Sequence, residues 1–227
     1  MRYVDLNADL GEEVTDDAAL LEVVTSANVA CGYHAGNAAI MASVCARAAE
    51  LGVSVGAQVS YDDRENFGRV PLDVGHDVLR EQVADQVGVL GEIAVRAGVE
   101  VAYLKPHGAL YHRVLDDEAQ ARAVLAGSGG LAVLTMAGVL ATLAGDAGRT
   151  VWREGFPDRA YDGRGRLVDR SEPGAVLAET PAIVGNALEL ADAVDSLCVH
   201  GDTPGAVGHA RAVREALETA GWTLRGL

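Results

Sequence analysis

The chain has 227 residues, 49% of them hydrophobic and 22% charged, with a formal net charge of −15. That length and apolar content are enough for one domain around a single large core, and they exclude a disordered chain. The negative balance argues against nucleic acid and anionic membrane as partners, since both would repel it.

A small anion is still admissible where the local field is positive. No apolar run approaches the roughly 20 residues of a membrane span, and the first strand-like run has no basic, apolar leader before it. The three cysteines, Cys31, Cys45 and Cys198, are widely spaced and odd in number, so neither a disulfide framework nor a zinc pattern is expected. A cytoplasmic location and a single domain over residues 1–227 follow as expectations.

In chain order, residues 3–8 read as a strand, 18–24 as a short helix and 26–31 as a second strand. The Ala-rich stretch 38–51 has helical spacing, with Gly52 as its stop. Residues 53–59 form the next strand. A long helix follows over 73–97, with Leu79, Val83, Val87, Leu90 and Ala94 on one face. Strands at 99–104, 131–135, 150–153 and 197–199 alternate with helices at 116–125, 136–144, 180–194 and 203–220. Residues 127–130 and 162–165 read as turns or loops. About seven strands alternate with helices, the pattern of a parallel sheet with helices outside it.

The polar residues choose between an open sheet and a barrel. They recur at the C-terminal ends of the predicted strands: Asn7, Asp9 and Glu12; Asn28 and His34; Gln58, Ser60 and Tyr61; Lys105 and His107; Arg153 and Glu154 with Asp158 and Arg159; His200 and Asp202. An α/β barrel builds its site from this rim, whereas an open sheet concentrates it at one switch point. The first strand also alternates Val4, Leu6 and Ala8 with Tyr3, Asp5, Asn7 and Asp9, which points the second set into the barrel. Buried carboxylates need partners such as Lys105, a histidine, a metal or a substrate. A solvent-exposed edge strand is the competing reading.

Three loops add detail. Pro106 ends its strand, and Gly108 permits a sharp turn, leaving Lys105 and His107 on one face for an anion or developing charge; a surface lysine and a turn histidine are equally allowed. His112 reads as a surface residue, and His76 and His209, in or beside helical segments, read as lying away from the site. Asp202 or Thr203 is suited to cap the last long helix, with Pro204 in its first turn, whereas His200 has no such structural use. Gly36 and Asn37 form a helix entry that could bind an anion. No GxxxxGK[ST] and no strand-linked GxGxxG occurs, so ATP cannot be placed from local motifs.

Several strings together resemble the LamB/YcsF family over nearly the whole chain. They are residues 4–12 (VDLNADLGE), 25–36 (TSANVACGYHAG), 105–111 (KPHGALY), 154–161 (EGFPDRAY), 170–175 (RSEPGA) and 198–205 (CVHGDTPG). The resemblance implies an irregular (β/α) barrel like that of polysaccharide deacetylases. It also implies ring opening of 5-oxoproline to L-glutamate, coupled to ATP hydrolysis, together with 5-oxoprolinase subunits B and C. Under it, Asp9 and Glu154 are candidates to steer water, and Lys105 and His107 to stabilise an oxyanion or phosphate. Arg159 and Arg170 are candidates for the substrate carboxylate, with Asn7, His34, His200 and Asp202 as further substrate-binding positions. The chain departs from the family pattern at Gln58, where a histidine is common, and at Asn37, where an aspartate is usual. The first removes a potential ligand for a divalent metal and leaves Asp9, His34 and His107. A metal-dependent deacetylase or amidohydrolase acting on a carbohydrate-like amide, and a non-catalytic protein that only binds a small carboxylate, are the alternative functions.

Overall fold

In the computed structural model, which describes residues 2–14, 16–203 and 205–227, the first strand is bonded along both edges. Strand β1 (Arg2–Leu10) pairs in parallel with β2 (Ser26–Ala30), from Asn7↔Ser26 to Leu10↔Val29. On its other edge it pairs with β7 (Ser196–Cys198), from Asp5↔Ser196 to Asn7↔Cys198. Between them run β3 (Ser54–Val59), β4 (Val101–Pro106), β5 (Ala132–Thr135) and β6 (Val151–Gly155), all parallel, so seven strands close a barrel. Closure removes the edge-strand reading of β1 and leaves its carboxylates inside.

The outward face of β1 is Val4, Leu6, Ala8 and Leu10, all buried in the core shared with the helices. Each fully buried aliphatic side chain there contributes about 1.5–3 kcal/mol. The long helix α3 (His76–Arg96) buries Leu79, Val83, Leu90 and Ala94 in the same core, as its periodicity predicts. The inward face is polar and close-packed. Tyr103 on β4 lies across Gly56 on β3, where a Cβ would fall 2.2 Å from its ring. Glycine is therefore needed at position 56 for space rather than for backbone freedom.

The remaining helices are α1 (Asp17–Leu21), α2 (Ala38–Leu51), α4 (Gly108–Arg113), α5 (Glu118–Gly127), α6 (Val139–Asp146), α7 (Thr180–Leu190) and α8 (Ala206–Thr219). Helix α4 gives no sequence pattern because it spans only six residues. Gly108 opens it at φ 58°, with Gly68 O 2.4 Å from where a Cβ would stand. A short eighth strand, β8 (Trp222–Leu224), is likewise absent from the sequence pattern; it pairs with the first residues of β1 below the barrel.

Several expectations need correction. Helix α6 begins three residues later than predicted, because Met136 N is held by the Tyr111 hydroxyl at 2.8 Å and Gly138 packs on Leu115. Helix α8 is capped by Gly205, so neither Asp202 nor Thr203 is its cap; Pro204 lies outside the described residues. The entry to α2 is satisfied internally, since Asn37 Oδ1 accepts from Ala39 N and Ile40 N, which serves the role of the usual aspartate and leaves no case for an anion there. Tyr3 does not point into the barrel interior; it is 50% exposed at the lower end. Arg153 is exposed and pairs with Asp195, away from the rim.

Candidate active site

Polar layers rise through the barrel along β1. At the bottom, Asp5 accepts from Thr25 Oγ1 (2.6 Å), Ser26 Oγ (2.7 Å) and Ser196 Oγ. Burial pushes its carboxyl up from 3.8 to about 6, against the opposing effect of those hydroxyls. Next, Asn7 accepts from Asn28 Nδ2 (2.7 Å) and donates to Ser196 Oγ (2.6 Å) and Glu154 Oε1 (3.3 Å). Tyr103 donates to Asn28 Oδ1 at 2.7 Å. Asn7 thus lies beneath the cavity floor and orients its neighbours.

Above this layer, Lys105 Nζ reaches Asp9 Oδ1 (2.9 Å), Glu154 Oε1 (2.8 Å) and Cys198 Sγ (3.1 Å). An ammonium has three hydrogens, and all three are spent. Lys105 is therefore the counter-charge of two buried carboxylates, with no hydrogen left for a substrate oxygen in this geometry. The two carboxylates diverge. Burial opposes ionisation of Asp9, but Lys105, His200 and His107 outweigh it and carry its pKa well below the usual range. Burial dominates at Glu154 and raises its pKa despite Lys105. Glu154 Oε2 also accepts from the Tyr111 hydroxyl at 2.9 Å. Asp9 Oδ1 holds both Lys105 and Asn28 Nδ2, while Oδ2 accepts no hydrogen bond among the described residues.

The rim has two histidine sides. On one, the rings of His34 and His107 stack at 4.0 Å, and Gln58 Nε2 lies 2.9 Å from both His107 Nδ1 and Glu12 Oε1. Burial, then the neighbouring His34, holds His107 well below the usual imidazole range. On the other side, His200 Nδ1 faces Asp158 at 2.9 and 3.0 Å, and its backbone N–H donates to Asp158 Oδ2 at 2.9 Å. Burial disfavours a charged His200, but Asp158 outweighs it and raises the pKa; burial is likewise outweighed by His200 at Asp158, whose pKa is lowered.

Between the two sides opens a cavity of about 1120 Å³, with Asp9, Lys105, His107 and His200 in its wall together with Arg69, Arg159 and Arg170. Arg159 spends Nε and Nη2 on the carbonyls of Ala175 and Val168, tying down the loop after β6. Among the described residues Arg170 gives only Nη2 to Asp202, at 3.0 and 3.2 Å, and Asp202 also holds Arg69. Asp202 thus positions two arginines. His34 and Glu154 are buried behind the wall.

The barrel therefore brings Asp9, Lys105, His107, Glu154, Asn7, His34, Arg159, Arg170, His200 and Asp202 to one end. Sequence reasoning set Glu12 and Asp158 on the rim without giving either a task, and it passed over Tyr111; the partners of all three are distant in sequence. Arg69 carried no sequence signal, since it sits in a loop without periodicity. His112, read as a surface residue, is exposed but lies in the cavity mouth.

A closed parallel barrel with helices outside it is the fold shared with polysaccharide deacetylases. A peptidoglycan N-acetylglucosamine deacetylase from Eubacterium rectale superposes with a TM-score of 0.57 over 100% of this chain and 88% of its own, at 11% identity, which speaks for fold alone. Residues 4–227 match the LamB/YcsF family, and the chain belongs to it. The A subunit of 5-oxoprolinase from Streptomyces coelicolor is 54% identical, covering 96% of this chain and 97% of that protein. Its counterpart from Mycolicibacterium paratuberculosis is 49% identical over 99% of both. The crystal structure of a lactam utilization protein from Thermus thermophilus is 34% identical, with a TM-score of 0.92 over 100% of each chain.

Proposed function

We infer that this chain is the A subunit of a 5-oxoprolinase, a hydrolase that opens the cyclic amide of 5-oxoproline to give L-glutamate. The observation that carries the reading is near full-length similarity to proteins of that name, joined to a cavity whose wall offers a free carboxylate oxygen and a carboxylate-backed histidine. The deacetylase reading is not favoured, because those relatives are similar in fold only.

Lactam hydrolysis adds water across the C–N bond. Asp9 Oδ2 orients the water and accepts its proton as the oxygen bonds to the carbonyl carbon. Imidazolium His200, kept charged by Asp158, gives a proton to the ring nitrogen as the C–N bond breaks. Arg170, with hydrogens to spare, holds the substrate carboxylate. His107 lines the cavity wall with its Nε2–H donated to Phe67 O, and Lys105 keeps the Asp9 and Glu154 carboxylates in place.

ATP enters for a thermodynamic reason. The product amine is tethered to its own carboxyl, so reclosure has an effective molarity of roughly 10⁵ M or more. Transfer of the γ-phosphoryl group of ATP to the lactam oxygen, with ADP released, weakens amide resonance; one water then opens the ring to an acyl phosphate, a second cleaves this to glutamate and inorganic phosphate, and the net cleavage of ATP offsets that bias. ATP is a co-substrate of the cytoplasmic complex this chain forms with partner subunits B and C, and local motifs do not place its site on one of them. Among the described residues no helix is long and apolar enough to cross a membrane.

The test mixes the chain with those subunits, ATP and 5-oxoproline and measures glutamate. Glutamate is expected only when all are present. Equal glutamate without this chain overturns the assignment.

A further inference from the structure

We propose that Glu12, His34 and His107 bind a divalent first-row transition metal, with the Gln58 side-chain oxygen as a fourth ligand. The ligand atoms of the first three lie within 4.8 Å of one another, and all three residues are buried. Asp9, the carboxylate the sequence pointed to for such a set, is committed through Oδ1 to Lys105 and Asn28; Glu12 takes its place.

The hydrogen bonding supports this directly. Phe67 O can only accept, so the 3.1 Å contact with His107 Nε2 fixes the proton there and leaves Nδ1 as a lone pair. A ring N–H donated to a backbone carbonyl is the usual support of a metal-binding histidine. That lone pair lies 3.3 Å from Glu12 Oε1, which in turn lies 3.5 Å from His34 Nε2. Acceptors converge there around the Gln58 side-chain amide, 2.9 Å from both Glu12 Oε1 and His107 Nδ1, and a cation would serve the same acceptors. Among the described residues, neither ring nitrogen of His34 makes a hydrogen bond, and Gln58 Oε1 makes none either, although all are buried. Buried polar atoms of this kind are costly unless a ligand takes them up. Turning the Gln58 amide over places Oε1 where Nε2 now sits, 2.9 Å from both Glu12 Oε1 and His107 Nδ1, and completes an N₂O₂ donor set suited to Zn²⁺ or Co²⁺. The Phe67–Gly68 turn closes the set from above: the Phe67 ring stands edge-on to both imidazoles at 5.8 and 5.5 Å. A Cβ on Gly68 would lie 2.2 Å from Ser60 Oγ. A bound metal supplies Lewis-acid character beside the cavity wall that His107 lines.

The proposal does not depend on the 5-oxoproline reading, and its test reads metal binding rather than turnover. Chelator-treated full-length protein is titrated with Co²⁺ and with Zn²⁺ by calorimetry, and the Co²⁺ visible spectrum is recorded. One equivalent per chain is expected, with a tetrahedral Co²⁺ absorption band. Glu12→Gln and His34→Asn, each checked for native circular dichroism, are expected to weaken binding by ~10-fold or more, within the range seen when metal-site partners are lost. Gln58→Glu keeps the size, supplies a second carboxylate and is expected to tighten binding. Absence of saturable binding to the wild type, or unchanged binding in Glu12→Gln and His34→Asn, overturns the proposal. Binding by Gln58→Glu alone also overturns it, since the wild-type amide would then be filling the cation's place.

Discussion

His200 and Asp158 stand 42 residues apart in sequence yet share three contacts of 2.9 to 3.0 Å, one from the backbone N–H and two from ring Nδ1. The carboxylate both orients the ring and stabilises its charge. Asp158→Asn keeps the shape and removes the charge, so the imidazolium loses its support. A fall in kcat/KM on the order of 10²-fold is expected. Because Asp158, and more weakly Asp9, raise the His200 pKa against burial and Arg170, the variant's activity should be lost at lower pH on the alkaline side than the wild type's. Glutamate release by the assembled enzyme across a pH series measures both.

Lys105 neutralises Asp9 and Glu154 together. Lys105→Met removes the lysine that contacts both of them and strands two buried carboxylates. Breaking a buried pair in this way costs about 3–5 kcal/mol. Urea denaturation followed by circular dichroism should show a lower midpoint, and loss of activity should accompany it even where the variant is fully folded.

Asp5 sets a stability slope of its own. Its folded pKa is raised from 3.8 to about 6, chiefly by burial and slightly by Glu154, while Ser196, Thr25 and Ser26 pull it down. A raised folded pKa means that the protonated form is favoured in the fold. The contribution is fully present below about pH 4 and is lost as pH rises through about 6, for a total on the order of 3 kcal/mol. Asp5→Asn should flatten that part of the profile. Denaturation midpoints compared across this range measure it, and an unchanged slope contradicts the assignment.

Arg170 should act on binding more than on chemistry. Replacing it with glutamine removes one charge-assisted contact to the substrate carboxylate, worth about 1.5–3 kcal/mol. A KM for 5-oxoproline higher by ~10- to 100-fold, with kcat little changed, is expected in steady-state kinetics. The reverse split, kcat lowered at constant KM, would assign Arg170 to the transition state instead.

Much of the scaffold was legible because its signals are local. Alternation along β1 told which side chains enter the barrel, and the α3 periodicity told which residues meet the core. Pro106 marked the end of β4. Short elements without a full period, α4 and β8, were not visible. At the rim, sequence separated polar strand ends from the core but did not assign tasks. Asp202 read as a cap and proved to be an arginine clamp. Lys105 read as an anion binder and proved to have all its hydrogens committed within the barrel.

By itself the sequence determined the alternation of strands with helices, the inward polar face of β1 and the family to which the chain belongs. These depend on backbone period and on strings of neighbouring residues. Only the tertiary structure decided that Asp158 supports His200, that Glu12 rather than Asp9 faces the stacked His34 and His107, and that Gln58 sits among them. Those relations join residues from different strands and loops, so their distances are set by barrel closure and strand register, which no local pattern encodes.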